Sequence, residues 1–212
     1  LETYGADAIR WYFYTNSAPW LPNRFHGKAV VEGQRKFMGT LWNTYAFFVL
    51  YADIDGFDPT KYELEYDKLS VMDKWLLSKL NSVVQATDSH LANYEIPEAA
   101  RALQDFVDEM SNWYVRRCRE RYWAQEMTQD KVNAYMTLYT ALVTIAKAAA
   151  PMIPFMTEEI YQNLVRTVPL ILCSLSVLFA YKVGMFNIGV AGQYVAGACG
   201  CLYAALAWNL PW

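Results

Sequence analysis

Charge is almost missing from the end of this chain. Of 39 charged residues, 38 lie in the first 166 positions, and Lys182 alone lies in the last 46. Histidine is scarce (His26 and His90), and the four cysteines are Cys118, Cys173, Cys199 and Cys201, three of them in the charge-poor end. So few and so scattered nitrogen and sulfur ligands exclude a zinc set, and a reduced, intracellular thiol inventory is expected. Excess charge of one sign is missing too. The net charge is -3, and -4 without Lys182, so no global field recruits nucleic acid or anionic lipid and any such partner must meet a local patch. No Gly-rich phosphate loop, no nucleophile beside a base and no paired carboxylates appear, so no catalytic residue is assigned. Residues 1–10 contain acids and no apolar core of a secretory signal, and a first residue of Leu rather than Met suggests a fragment.

What is present divides into two regimes. Residues 1–166 have the charge density of a globular protein and suffice to bury a core. Their apolar residues recur with helical spacing. Val30, Phe37, Met38, Leu41, Tyr45, Phe48, Val49 and Ala52 predict a helix over residues 28–52, followed by an acidic, turn-rich linker over 53–68. Ser70 three residues before Asp73 approximates a capping box, and Met72, Leu76, Leu80, Val83, Val84, Thr87 and Leu91 carry the next helix to about Asn93. Pro97 suits the first position of a third helix, with Leu103, Val107, Met110 and Tyr114 inward. A fourth is predicted over 130–149, stopped by Pro151 and Pro154. A short fifth is predicted after Thr157, with Glu158 and Glu159 near its positive end. A short helix over residues 5–14 precedes a proline-broken stretch. Long helices with short connections predict an all-α, up-and-down antiparallel bundle.

One cluster has the look of a binding face. SNWYVRRCRERYW, residues 111–123, sets Arg116, Arg117, Arg119 and Arg121 among Trp113, Tyr114, Tyr122 and Trp123. On a helix Trp113, Arg117 and Arg121 stack one above another, a guanidinium row with an indole that suits a phosphate backbone and an unpaired base. The plainer alternative pairs Arg116 with Glu120, leaves the other arginines solvated and puts the aromatics in the core. Arg24, Lys28, Arg35 and Lys36 form a second basic strip or an ordinary wet helix face, and His26 and His90 read as surface or capping residues.

The wording of these segments is similar to a known family. YGADAIRWYFY, SAPW, LWNTYAFFVLYA, SNWYVRRCRERYW and APMIPFMTEEIYQNL, in order over residues 1–166, resemble the isoleucyl-tRNA synthetases. The resemblance implies that residues 1–25 follow the Lys-Met-Ser-Lys-Ser loop, at the end of the catalytic and stem-contact region. Residues 26–167 would form the helical anticodon-binding domain shared by the class I enzymes for Ile, Val, Leu and Met. The SNWYVRR wording favours the isoleucine enzyme, with the valine enzyme as the alternative. Under this reading Trp113, Arg116, Arg117, Arg119, Arg121 and Trp123 contact tRNA(Ile) in the cytoplasm. The His-Ile-Gly-His and Lys-Met-Ser-Lys-Ser loops, the nucleotide fold and the editing domain are absent from this sequence. The ATP and magnesium of the full-length family therefore have no holder here, and the resemblance implies a tRNA-binding part rather than an active ligase.

The second regime, residues 168–212, reads as membrane. Its small residues Gly192, Ala196, Gly200 and Ala204 recur every four positions, as in close helix packing in lipid, and Trp208 and Trp212 suit interfacial anchors. A buried hairpin of a soluble protein is the alternative, but it would need a polar face. Residues 169–198 resemble the permease subunit of ATP-binding-cassette importers for nucleosides and simple sugars, through Phe186, Asn187, Ile188, Gly189, Gly192 and Gln193. Ala191 departs from that pattern, which has Glu there. The resemblance implies one or two apolar helices whose partners are a bilayer or other transmembrane helices, joined between Val168 and Pro169 to an unrelated piece, a chimera.

Overall fold

The computed structural model describes residues 2–17, 21, 22 and 24–165. Among them every regular element is helical. The first helix, α1, Ala6–Asn16, starts beyond Gly5, whose φ of 80° is open to glycine and disfavoured for other residues, and it buries Asp7, Ala8, Trp11 and Tyr12. The stripe expected over 28–52 forms one helical run in three parts: α2, Gly27–Gly33; a π-helical turn, Gln34–Gly39; and α3, Thr40–Asp55. Val30, Phe37, Leu41, Tyr45, Phe48 and Ala52 are buried, as their spacing requires. Gly56 ends α3 in the left-handed conformation (φ 61°). The next residue's N–H returns to the Ala52 carbonyl at 2.8 Å, and the Phe57 ring turns inward to stack on Tyr135 at 4.6 Å.

Two single 3₁₀ turns, Pro59–Lys61 and Tyr66–Lys68, interrupt the acidic linker. The capping box at α4, Val71–Ala92, is formed in both directions: the Asp73 N–H donates to Ser70 Oγ at 3.3 Å, and the Ser70 N–H donates to Asp73 Oδ2 at 3.2 Å. The next helix, α5, Ile96–Glu109, begins one residue before Pro97, and a second π-helical turn, Met110–Val115, leads into α6, Arg116–Trp123. Leu103, Val107, Met110 and Tyr114 are all fully buried. The most enclosed element is α7, Gln129–Ala149, whose Tyr135, Leu138, Ala141, Leu142 and Ile145 have no exposed surface. Around it α4 packs on α5 and α7, α3 on α7, and α1 on α2 and α5.

The last described helix, α8, Pro154–Val165, corrects the expectation of a start after Thr157. Glu158 and Glu159 therefore fall in its second turn, away from the free N–H groups. The negative charge for those groups comes instead from Asp7, whose carboxylate accepts from the Phe155 N–H at 3.4 Å and the Met156 N–H at 2.7 Å. Arg10 completes the clamp from the same face of α1, donating to the Pro151 carbonyl at 2.8 Å and the Met152 carbonyl at 3.2 Å. An aspartate buried as an N-terminal cap is worth about 1–2 kcal/mol. Asp7→Ala is expected to lower the stability of the chain by that amount in urea titrations, and an unchanged midpoint would show that the clamp contributes nothing.

Residues Leu1–Leu164 form one compact unit. Among the described residues no helix is long and apolar enough to cross a membrane. The permease-like residues Phe186, Asn187, Ile188, Gly189, Gly192 and Gln193, the small-residue stripe and the Val168 and Pro169 junction lie outside the described residues.

Candidate nucleic-acid interface

The arginine cluster occupies the π-helical turn Met110–Val115 and α6. Packing divides it into two sides. Inward go Tyr114, Val115, Cys118 and Tyr122, all buried; outward go Trp113, Arg116, Arg117, Arg119, Glu120 and Trp123. The Tyr122 hydroxyl donates to the Ala134 carbonyl at 3.0 Å, and its ring meets Phe47 and Tyr135 edge-on, which fixes the helix against α3 and α7. Burial pushes the Tyr122 and Cys118 ionisations up, so both side chains are neutral structural groups at physiological pH.

The outer side carries half of the expected row. The Arg117 guanidinium lies 3.7 Å from the centre of the Trp113 ring, a cation–π stack that holds a planar charge and an indole on one surface. Trp123, 55% exposed, is pinned by its indole N–H to the Tyr51 hydroxyl at 2.7 Å. Arg116 and Glu120 form no ion pair among the described residues, so Arg116, Arg117 and Arg119 all present free charge to solvent.

Arg121 is the correction. Instead of facing a phosphate with Arg117, it turns inward and joins two carboxylates. Its terminal nitrogens donate to Asp73 Oδ1 and Oδ2 at 2.7 and 2.8 Å; its Nε and one terminal nitrogen donate to Asp130 at 2.7 and 2.8 Å. Asp73 has no exposed surface and also accepts from the Tyr114 hydroxyl at 2.6 Å and Ser70 Oγ at 2.8 Å. Burial alone would raise the Asp73 carboxyl, but the hydrogen bonds from Arg121, Tyr114 and Ser70 outweigh it and hold the group below its ordinary value. The guanidinium, also desolvated, is held still more firmly protonated by the two carboxylates. One sequence signal pointed to this: Asp73 is in phase with Leu76, Leu77 and Leu80, so its carboxylate had to enter the core and find a cation.

Of the second strip, Arg24, Lys28, Arg35 and Lys36 are all exposed, and Lys36 pairs with Glu32 at 2.7 Å. His26 precedes α2 without a side-chain cap, while His90 closes the α4 end by contacting Glu95 at 2.7 Å. Among the described residues no three His, Cys, Asp or Glu side chains gather as a metal site.

A helical bundle that sets arginines and indoles on the outside of rigid helices offers a charged, aromatic surface of the class that binds a phosphate backbone. Residues 73–181 match the anticodon-binding domain of tRNA ligases, and the chain belongs to that family. It is 59% identical over 165 residues to the isoleucine-tRNA ligase of Clostridium kluyveri and 60% identical over 165 residues to that of Clostridium novyi. To the isoleucine-tRNA ligase of Porphyromonas gingivalis it is 47% identical over 165 residues. These alignments take in 78%, 78% and 77% of this chain but 16%, 16% and 14% of those proteins, so the chain spans about one sixth of their length. The family match runs to residue 181, past the Val168 and Pro169 junction expected from composition.

Proposed function

We propose that this chain is the anticodon-side, tRNA-binding part of an isoleucine-tRNA ligase, acting in translation in the cytoplasm and unable to activate isoleucine by itself. The observation that carries the reading is the outer face of α6, where Arg116, Arg117 and Arg119 stand unpaired beside the stacked Trp113. Cations on a rigid surface bind a phosphate backbone by releasing its counterions, and an exposed indole stacks on any unpaired base. The likeness to isoleucine-tRNA ligases in all three relatives supports tRNA(Ile) as the partner over its valine counterpart.

The test is anisotropy of labelled tRNA(Ile) with the 212-residue chain across a salt series. Replacing Arg116, Arg117 and Arg119 together by alanine is expected to weaken binding about ten- to a hundredfold at low salt and to flatten the log–log salt slope by about 2–3. Far-UV circular dichroism should not change, since all three side chains are exposed. Equal affinity and equal slope for the parent and the triple variant would show the face to be merely solvated.

A further inference from the structure

The buried side of the run from α5 into α6 is spaced in fours. Met110, Tyr114, Cys118 and Tyr122 are all buried, each four residues after the last. At about 100° per residue, an uninterrupted α-helix would carry such a row round by about 120° over its length, and Tyr122 would leave the core. The π-helical turn Met110–Val115 absorbs that drift, because a wider turn advances less per residue. The same geometry acts on the outer side. Four α-helical residues overshoot a full turn by about 40°. Arg117 nevertheless lies over the Trp113 ring, 3.7 Å from its centre.

A π-helical turn is rare, and it stays where tertiary contacts fix it. Tyr114 supplies such a contact. It stands in the turn next to Trp113, has no exposed surface, and donates its hydroxyl to Asp73 Oδ1 at 2.6 Å. Burial pushes its ionisation well up, so the hydroxyl keeps its proton and remains a donor. Asp73 is itself fixed at the start of α4 by Ser70 and Arg121, without help from Tyr114. Arg116, Arg117 and Arg119 therefore lie between two tethers to one carboxylate, Tyr114 before them and Arg121 after them.

We propose that Tyr114 is a positioning residue for the tRNA-binding face: its bond to Asp73 holds the π-helical turn in the register that seats Arg117 over Trp113. This role rests on the tRNA-binding reading above and adds to it a buried residue that touches no RNA. With the hydroxyl gone, the wide turn is free to migrate along the helix, and the indole turns away from the guanidinium while the charges stay on the surface.

The test is a double-mutant cycle, read by anisotropy of labelled tRNA(Ile) with the 212-residue chain at low salt. Tyr114→Phe keeps the ring in the core and leaves Asp73 its bonds to Ser70 and Arg121, so circular dichroism should not change. It is expected to weaken binding about fivefold, and Trp113→Ala about tenfold, as for loss of an aromatic stacking surface. In the Trp113→Ala background, Tyr114→Phe should have no further effect, because it acts through the indole. A merely structural hydroxyl would cost the same factor in both backgrounds. Tyr45→Phe, which removes a buried hydroxyl bonded to Asn163 of α8, is the control and should leave affinity unchanged. Parent-like affinity for Tyr114→Phe, an equal loss from it with and without Trp113, or an equal loss from Tyr45→Phe overturns the proposal and leaves the tRNA-binding reading intact. If the parent chain binds no tRNA(Ile), that underlying reading fails and this one falls with it.

Discussion

Asp73→Ala is expected to cost about 3–5 kcal/mol, the range for removing one partner of a buried ion pair. The carboxylate has no exposed surface, and the Arg121 side chain facing it is 16% exposed. Its removal leaves the Tyr114 hydroxyl, in the core, without its acceptor, opens the capping box at the start of α4, and halves the pairing of Arg121, whose remaining partner Asp130 is 58% exposed. The sign of the pH dependence follows from the depressed carboxyl. A group whose folded value lies below its unfolded one stabilises the fold above the unfolded value and stops doing so as pH falls through the folded one. The contribution of Asp73 is therefore whole at neutral pH and disappears in acid, below its ordinary value of 3.8. Urea titrations at pH 7 and pH 3 check both parts: the gap between parent and variant should be large at pH 7 and shrink at pH 3. Coupling is expected as well, since Asp73→Ala combined with Arg121→Met should cost less than the two changes summed. A loss below about 1 kcal/mol for Asp73→Ala at pH 7 would refute the assignment, because even an ordinary hydrogen bond is worth that much.

Lys131→Ala is the second large effect, also expected at about 3–5 kcal/mol on the same grounds. The residue is 1% exposed although it is a lysine near the start of α7. Its ammonium donates to the Ala124 carbonyl at 2.6 Å and pairs with Asp55 Oδ2 at 2.6 Å, where the Tyr135 hydroxyl also donates. One cation thus ties the end of α3, the α6–α7 loop and the core of α7 together. Without it the Asp55 carboxylate, 15% exposed, keeps Tyr135 as a partner but loses its countercharge. Asp55→Asn in the Lys131→Ala background should recover part of the loss, because the orphaned charge is what costs most. Hydrogen exchange over residues 123–129 should speed up before global unfolding, and RNA affinity should fall with it, because the end of α6 would lose the tie from Lys131 to the Ala124 carbonyl. Unchanged exchange in that loop would separate Lys131 from the interface.

Much of the fold was legible because it was local. Each apolar stripe marked the inward side of its helix, since a period of 3.6 is written in residues three and four apart, except that Val84, expected on the α4 stripe, is exposed because it lies next to Val83 and falls off the face that Leu76, Leu80 and Thr87 share. The Ser70 and Asp73 cap and the Gln129–Ala149 helix emerged within a residue or so of their expected ends for the same reason. The start of α8 did not, because the acid that caps it is Asp7, distant in sequence, and nothing near Pro154 records it. The binding face was half legible. Trp113 and Arg117 stack as helical spacing requires, whereas Arg121, one turn further on, is withdrawn by Asp73 and Asp130.

By itself, then, the sequence determined the helices other than the start of α8, the local cap of α4 and most inward faces, and through its wording the family. Only the tertiary structure decided which arginines of residues 116–121 remain available to a ligand. Four arginines in six positions look alike to any local rule; a carboxylate brought to one of them by the packing of α4 and α7 against α6 makes that one structural, and those without such a partner stay outside as free charge.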